Sequence, residues 1–326
     1  MSLTVPCGDV VDRGDFVGSD DEYEYRIEQK LGHGGFSTVW MAYDMLEKKD
    51  VALKIMTPEE SNEHEYNIQK EIIRIIQDTS HLVLCPNLRD HRRQKPVRTQ
   101  MSAAKQLLQA ISHLHDNLSS ANVMYSLRPI DNSSVTAKYQ YIGRPKKMRL
   151  DPDLWNTGEL VMPMLAHESL IGDDVSLGDF GLALKSERVR DQDPTFATDM
   201  WSYICIFAEL YMGYALFYGL GNSSIVSYIV HTLGLLPTTW RGTYKAGGAD
   251  NDWWYDQGYK LDPSASLEAK VSRLRPDIDA VERELVLSMW RKGLSYQPQD
   301  RLTASQLLED VSFKALMEIY GVQEPA

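Results

Sequence analysis

Three glycines, Gly32, Gly34 and Gly35, fall within the stretch Leu31-Gly32-His33-Gly34-Gly35-Phe36-Ser37-Thr38-Val39-Trp40. Glycines at this spacing allow backbone amides to approach phosphate oxygens, because no Cβ blocks the way. A Gly-rich turn by itself is as often a plain hairpin. The chemistry sharpens with Val51-Ala52-Leu53-Lys54, a short apolar run that ends in a cation and follows the turn. A covering loop and a strand-borne ammonium together form a grip for nucleotide phosphates.

The elements that must position these residues can be read from periodicity. Tyr25-Arg26-Ile27 leads into the Gly-rich turn, and Val51–Met56 reads as a further strand, so the turn closes a hairpin. Ile68 to Ile76 has helical spacing with a broad apolar face. Met101 to His115 is an amphipathic helix with Leu107, Leu108, Ile111 and Leu114 on one side. The stretch 126–172 has weak periodicity and holds Pro129, Pro145, Pro152 and Pro163, which predicts a long irregular insertion. Trp201 to Gly213 is apolar nearly all round and predicts a core helix, and Val281–Trp290 and Thr303–Glu309 are further helices. Strands first and helices after predict an α+β chain with two segregated lobes.

The hairpin matches G-x-G-x-x-G-x-V except at its third glycine, where Ser37 stands, and Val51-Ala52-Leu53-Lys54 follows it. Together they resemble the N-lobe of protein kinases, and the serine variant resembles the SR-protein kinase branch of the CMGC group. Further stretches carry the resemblance along the chain. Asp179-Phe180-Gly181 resembles the D-F-G motif, and Asn122, in Ser119-Ser120-Ala121-Asn122-Val123, resembles the end of the catalytic loop. Asp199-Met200-Trp201-Ser202 resembles the start of the buried kinase F helix. Leu233-Gly234-Leu235-Leu236-Pro237 with Trp240 resembles a CMGC stretch, and Pro298 to Ala304 resembles the P-x-x-R-x-T-A segment.

The resemblance implies a bilobal protein-kinase fold, with a small β-rich N-lobe and a larger, mainly helical C-lobe. It implies phosphoryl transfer from ATP to a protein Ser or Thr hydroxyl, with Mg²⁺ as cofactor and an Arg/Ser-rich protein as substrate. Leu31, Gly32, Gly34, Gly35, Val39, Ala52 and Lys54 would then contact the nucleotide. Lys54 would grip phosphates, Glu71 would orient Lys54 (with Glu65 as fallback), and Asn122 and Asp179 would hold Mg²⁺. Arg301 would pair with the glutamate that ends the activation segment, for which Glu187 is the candidate.

Three departures fall on working parts. The family's catalytic aspartate precedes the asparagine by five positions, and that position is Asn117. An amide cannot act as a general base, and losing one typically costs about 10²- to 10⁴-fold. Asp116 is one residue off. Between the Glu71 helix and the Met101 helix only His81 to Cys85 is strand-like, so a sheet strand and the adenine-binding hinge are missing and a sheet edge is expected to be unpaired. The activation segment is also short. The alternatives to an active kinase are a pseudokinase scaffold and an internally deleted variant.

Composition bounds these readings. The 326 residues carry 43% hydrophobic side chains and a net charge of −12, with a pI near 5.2. That balance argues against nucleic-acid or anionic-membrane surfaces and favours basic partners. Cys7, Cys85 and Cys205 show neither disulfide nor metal spacing. No apolar run reaches the roughly 20 residues of a bilayer span, which predicts an intracellular protein of cytoplasm or nucleus. The expected organisation is a flexible acidic leader over 1–22, an N-lobe with a depleted sheet over 23–86, and a C-lobe over 87–322. The insertion 126–172 carries Lys138, Arg144, Lys146, Lys147 and Arg149, expected as a solvated basic face, with a partner site as the less frequent alternative.

Overall fold

The structure, a computed structural model, describes residues 2–4, 16–17, 25–33, 37–56, 96–114, 123–128, 134–149, 159–164, 168–177, 196–219, 222–242 and 252–322. Two compact units divide the chain: Met1–His91 with Ala121–Ala183, and Arg92–Ser120 with Leu184–Ala326. The first is built on strands and the second on helices, as an α+β kinase fold requires.

The first unit centres on five strands, β1 (Ser2–Thr4), β2 (Phe16–Val17), β3 (Tyr25–His33), β4 (Ser37–Asp44) and β5 (Lys49–Met56). Their order is β1-β5-β4-β3-β2. The pairs β2–β3, β3–β4 and β4–β5 are antiparallel, and β1 runs parallel to β5. Side chains alternate across a strand, and one face of the sheet carries Tyr25, Ile27, Trp40, Ala42, Leu53 and Ile55 in a buried cluster. Two stretches of the expected leader are therefore sheet strands. The expected bare edge is covered at one end, where Ser2–Thr4 runs beside Lys54–Met56 of β5.

The stretch expected to be irregular holds regular structure within its described residues. Helix Val135–Ile142 is capped by Ser134, whose hydroxyl accepts the Ala137 N–H at 3.2 Å, and ends at Gly143 with φ +72°. Strands β7 (Lys147–Arg149) and β8 (Glu159–Val161) form an antiparallel pair, and β6 (Val123–Leu127) pairs with β9 (Ile171–Leu177). Among the described prolines, Pro145 and Pro163 fall between elements and punctuate them. The elements are too short for their periods to stand out in the sequence.

The second unit contains helices Val97–Leu114, Phe196–Met212, Asn222–Leu233, Leu267–Leu274, Ala280–Gly293, Ala304–Leu308 and Val311–Ile319. On the first, Leu107, Leu108 and Ile111 of the predicted apolar face are buried, together with Met101 and Ala104, while the Leu114 side chain lies outside the described ones. Helix Phe196–Met212 is the core helix predicted from its apolar run. It stacks Phe207 on Tyr211, and its Tyr203 hydroxyl donates to the Ala104 carbonyl at 3.0 Å. Helix Ala280–Gly293 approaches it so closely that a Cβ on Gly293 would lie 2.3 Å from Ile204 Cγ1.

Candidate functional site

The sheet register brings the Gly-rich hairpin and its lysine into one row. Gly32 pairs with Val39 across β3 and β4, and Val39 pairs with Lys54 across β4 and β5. Paired residues project to the same face, so Val39 and Lys54 share a face, and the next row adds Met41 and Ala52 to it. Leu31 sits at a register shift beside this row and is 4% exposed, while Val39, Ala52 and Lys54 are half-buried. Ser37 opens β4 opposite Met56, so serine at the third glycine position continues the strand.

This face opposes the buried cluster and carries a cation beside a small alanine and a branched valine. The ammonium suits phosphate oxygens, and small and branched apolar side chains beside it suit a flat base, so the chemistry of the described residues fits a nucleoside triphosphate. Lys30 lies on the other face, over the Trp40 ring at 6.0 Å, and burial pulls its ammonium pKa down.

A second ladder bears on the expected metal ligands. Val123 pairs with Leu177, so the start of β6 and the end of β9 meet. Asn122 is the residue before Val123 in the chain, and Asp179 follows Leu177 by two. Both themselves lie outside the described residues, as do Gly34, Gly35, Glu65, Glu71, Asp116, Asn117 and Glu187. Among the described residues there is no group of three or more His, Cys, Asp or Glu side chains that could hold a metal.

In the second unit Asp199 is buried at the start of its helix. Arg301 donates from Nε to the Ser295 carbonyl and from Nη1 to the Ala197 carbonyl, both at 2.7 Å, and lies over the Trp201 ring at 4.9 Å. These bonds tie the helix start to the Pro298–Ala304 segment. Burial lowers the Arg301 pKa.

Lys138 departs from expectation. Expected on a solvated face, it is 2% exposed, and its ammonium reaches Glu28 at 3.2 Å and also Asp50. Arg26 pairs with the same Glu28 at 2.6 Å, and both Arg26 and Lys138 stand over the Tyr43 ring at 5.1 Å. In the sequence Val135, Lys138, Tyr139 and Ile142 follow the i, i+3, i+4, i+7 pattern, a signal that spans only two turns and is too short to stand out.

A hairpin sheet with a Gly-rich turn and a lysine in its third strand, joined to a helical unit, is the protein-kinase fold. A solved crystal structure of a kinase domain aligns over 94% of this chain and 98% of its own length, with a TM-score of 0.58 and 15% identity. Cyclin-dependent kinase-like 4 of Homo sapiens is 30% identical over 133 residues, 40% of this chain and 31% of that protein. The probable serine/threonine-protein kinase clkA of Dictyostelium discoideum is 21% identical over an alignment that covers 90% of this chain and 36% of the relative. The chain thus spans about a third of the length of these relatives. No family model matches it. By fold and by sequence the chain resembles protein serine/threonine kinases, with relatives of the CMGC type.

Proposed function

We propose that the chain binds Mg·ATP on the Lys54 face of its sheet and acts as a serine/threonine protein kinase of the SR-protein-kinase type. The observation that carries this reading is the row Gly32–Val39–Lys54, which sets a phosphate-covering turn and a phosphate-gripping cation on neighbouring strands. In this reading Leu31, Val39 and Ala52 line the base and sugar, and Gly32, Gly34 and Gly35 cover the phosphates. Lys54, held by Glu71, orients them. Asn122 and Asp179 supply hard oxygen ligands for Mg²⁺, which neutralises phosphate charge when bound. Catalysis of this kind is largely positioning and charge stabilisation. The net charge of −12 suits a basic, Arg/Ser-rich protein substrate. In this reading the protein works inside the cell, where ATP is supplied. No described helix is long and apolar enough to cross a membrane.

Asn117 favours a second reading, a pseudokinase that binds nucleotide and scaffolds a partner, because its amide cannot accept the substrate proton. Radiolabelled ATP with an Arg/Ser-rich peptide separates the two. Transfer above a Lys54→Met control supports the kinase. Absence of transfer with nucleotide binding intact supports the scaffold, and absence of both rejects the site.

A further inference from the structure

Gly32 lies on β3 and Lys54 on β5, and β4 runs between them. The angle between the covering turn and the phosphate-gripping cation is therefore set by the twist accumulated over two strand pairs, roughly 20 to 25° per pair. The β3–β4 pair is irregular. Its register shifts between Ile27 and Gln29 and again between Lys30 and Gly32, whereas β4 and β5 keep one register from Ser37 opposite Met56 to Asp44 opposite Lys49. Each shift sharpens the local twist and interrupts the ladder, so β3 has the weaker hold on its angle to β5.

Lys138 spans these strands. Its ammonium bonds to Glu28, the extra residue of the first shift in β3, at 3.2 Å, and to Asp50 of β5. It also stands over the ring of Tyr43 on the intervening β4. Tyr43 pairs with Asp50, two residues along from the Met41–Ala52 pair, so this tie lies on the face that carries Lys54. The helix that presents Lys138 is capped by Ser134 and closed at Gly143. Farther along the same insertion, Val161 packs on the opposite face of the sheet, and the Met164 N–H donates to the Lys30 carbonyl at 2.8 Å. The insertion thus grips the sheet from both sides.

We propose that Lys138 is a positioning residue for the nucleotide: by tying β3 to β5 it sets the angle at which the Gly-rich turn covers the phosphates held by Lys54. This role rests on Mg·ATP binding to the Lys54 face. At about 3.4 Å per residue Asp50 lies about 14 Å from Lys54 along β5, so a change of roughly 10° at the tie displaces the turn from the lysine by about 2 Å. Misplacement of about 1 Å can cost about 10²-fold where geometry is what a site supplies. A buried ion cluster suits the task, because its charges must stay paired, whereas apolar side chains repack at little cost.

The test separates holding the fold from holding the site. In K138M/E28Q/D50N the tie is removed together with the carboxylates it would strand. Urea unfolding should show most of the wild-type stability, while calorimetric titration with Mg·ATP should show about tenfold weaker binding. Equal affinity would confine Lys138 to stability and overturn the proposal. Tighter binding would make the helix a plug over the nucleotide face and overturn it as well. A second measurement uses the wild type alone. A tie that favours the nucleotide is favoured by it, so saturating Mg·ATP should slow hydrogen exchange of the Val135–Ile142 amides by about fivefold. Unchanged exchange there, with binding intact, overturns the proposal even if the triple variant fails to fold. Absence of Mg·ATP binding by the wild type rejects the nucleotide site itself, and the role of Lys138 with it.

Discussion

Lys138 of the sheet unit and Lys270 of the helical unit are both buried, and they are held in opposite ways. In the sheet unit Lys138 meets two carboxylates, Glu28 and Asp50, and Glu28 is shared with Arg26. In the helical unit Lys270, 6% exposed, is held by neutral groups: it donates to the Thr232 hydroxyl at 2.6 Å and the Leu216 carbonyl at 3.2 Å, and lies over the Tyr228 ring at 4.6 Å. Full ion pairing suits a joint that must hold one geometry, because a buried charge that loses its partner is costly. Neutral oxygens and a ring face solvate a cation only in part, and burial with the nearby Arg273 charge pushes the Lys270 pKa down to about 8.

The largest effect is expected at the paired lysine. Lys138→Met leaves Glu28 and Asp50 buried without this cation, and breaking such a pair costs about 3–5 kcal/mol. Urea unfolding of the full chain measures it. Adding Glu28→Gln and Asp50→Asn should recover much of the loss, since neutral groups carry a smaller desolvation penalty; no recovery would show that Lys138 acts through packing alone. Next in size is the ligand effect on the same sheet. Mg·ATP at 100 times its Kd should stabilise the chain by about 2.7 kcal/mol, and Lys54→Met should abolish the rise in thermal midpoint. A rise retained in the variant would remove Lys54 from the site. In the helical unit, Gly293→Ala drives a methyl group against Ile204 and should cost about 1–3 kcal/mol, read from the same denaturation curves.

How much of this was legible follows from the length and period of each element. The hairpin, the Lys54 strand and the two helices Val97–Leu114 and Phe196–Met212 were readable, because each carries several repeats of its pattern or a motif with a mechanism. Strands Ser2–Thr4, Lys147–Arg149 and Glu159–Val161 were not, because three residues carry too little alternation to rise above a loop. The pairing of β1 with β5 is non-local, and no local pattern encodes it. Lys138 lies on a helix of two turns, too short for its stripe to stand out, and its charge suggested solvent; only the tertiary position of Glu28 and Asp50 reverses that. Of the candidate site, the Gly32–Val39–Lys54 row follows from the hairpin register, whereas the positions of Glu71, Asn117, Asn122 and Asp179 depend on segments outside the described residues.

The smallest effect, and the one that most directly separates the two lysines, is in the pH dependence of stability. Below about pH 8 Lys270 is protonated in both the folded and unfolded chain, and the full cost of burying its charge is present. Between about 8 and its ordinary 10.5 the folded amine has lost its proton while the unfolded one keeps it, so the unfolded chain binds more protons and stability rises with pH. Tyr211 and Tyr296 act in the opposite direction at higher pH, because burial raises their phenol pKa values. Subtracting the curve of Lys270→Met cancels them. The wild type should therefore gain on the order of 1 kcal/mol relative to Lys270→Met between pH 7.5 and 9.5, given ~1.4 kcal/mol per pKa unit and partial relaxation of the site. A flat difference would mean that Thr232, Leu216 and the Tyr228 ring solvate the ammonium as well as water does, and the contrast with Lys138 would then lie in geometry and not in charge.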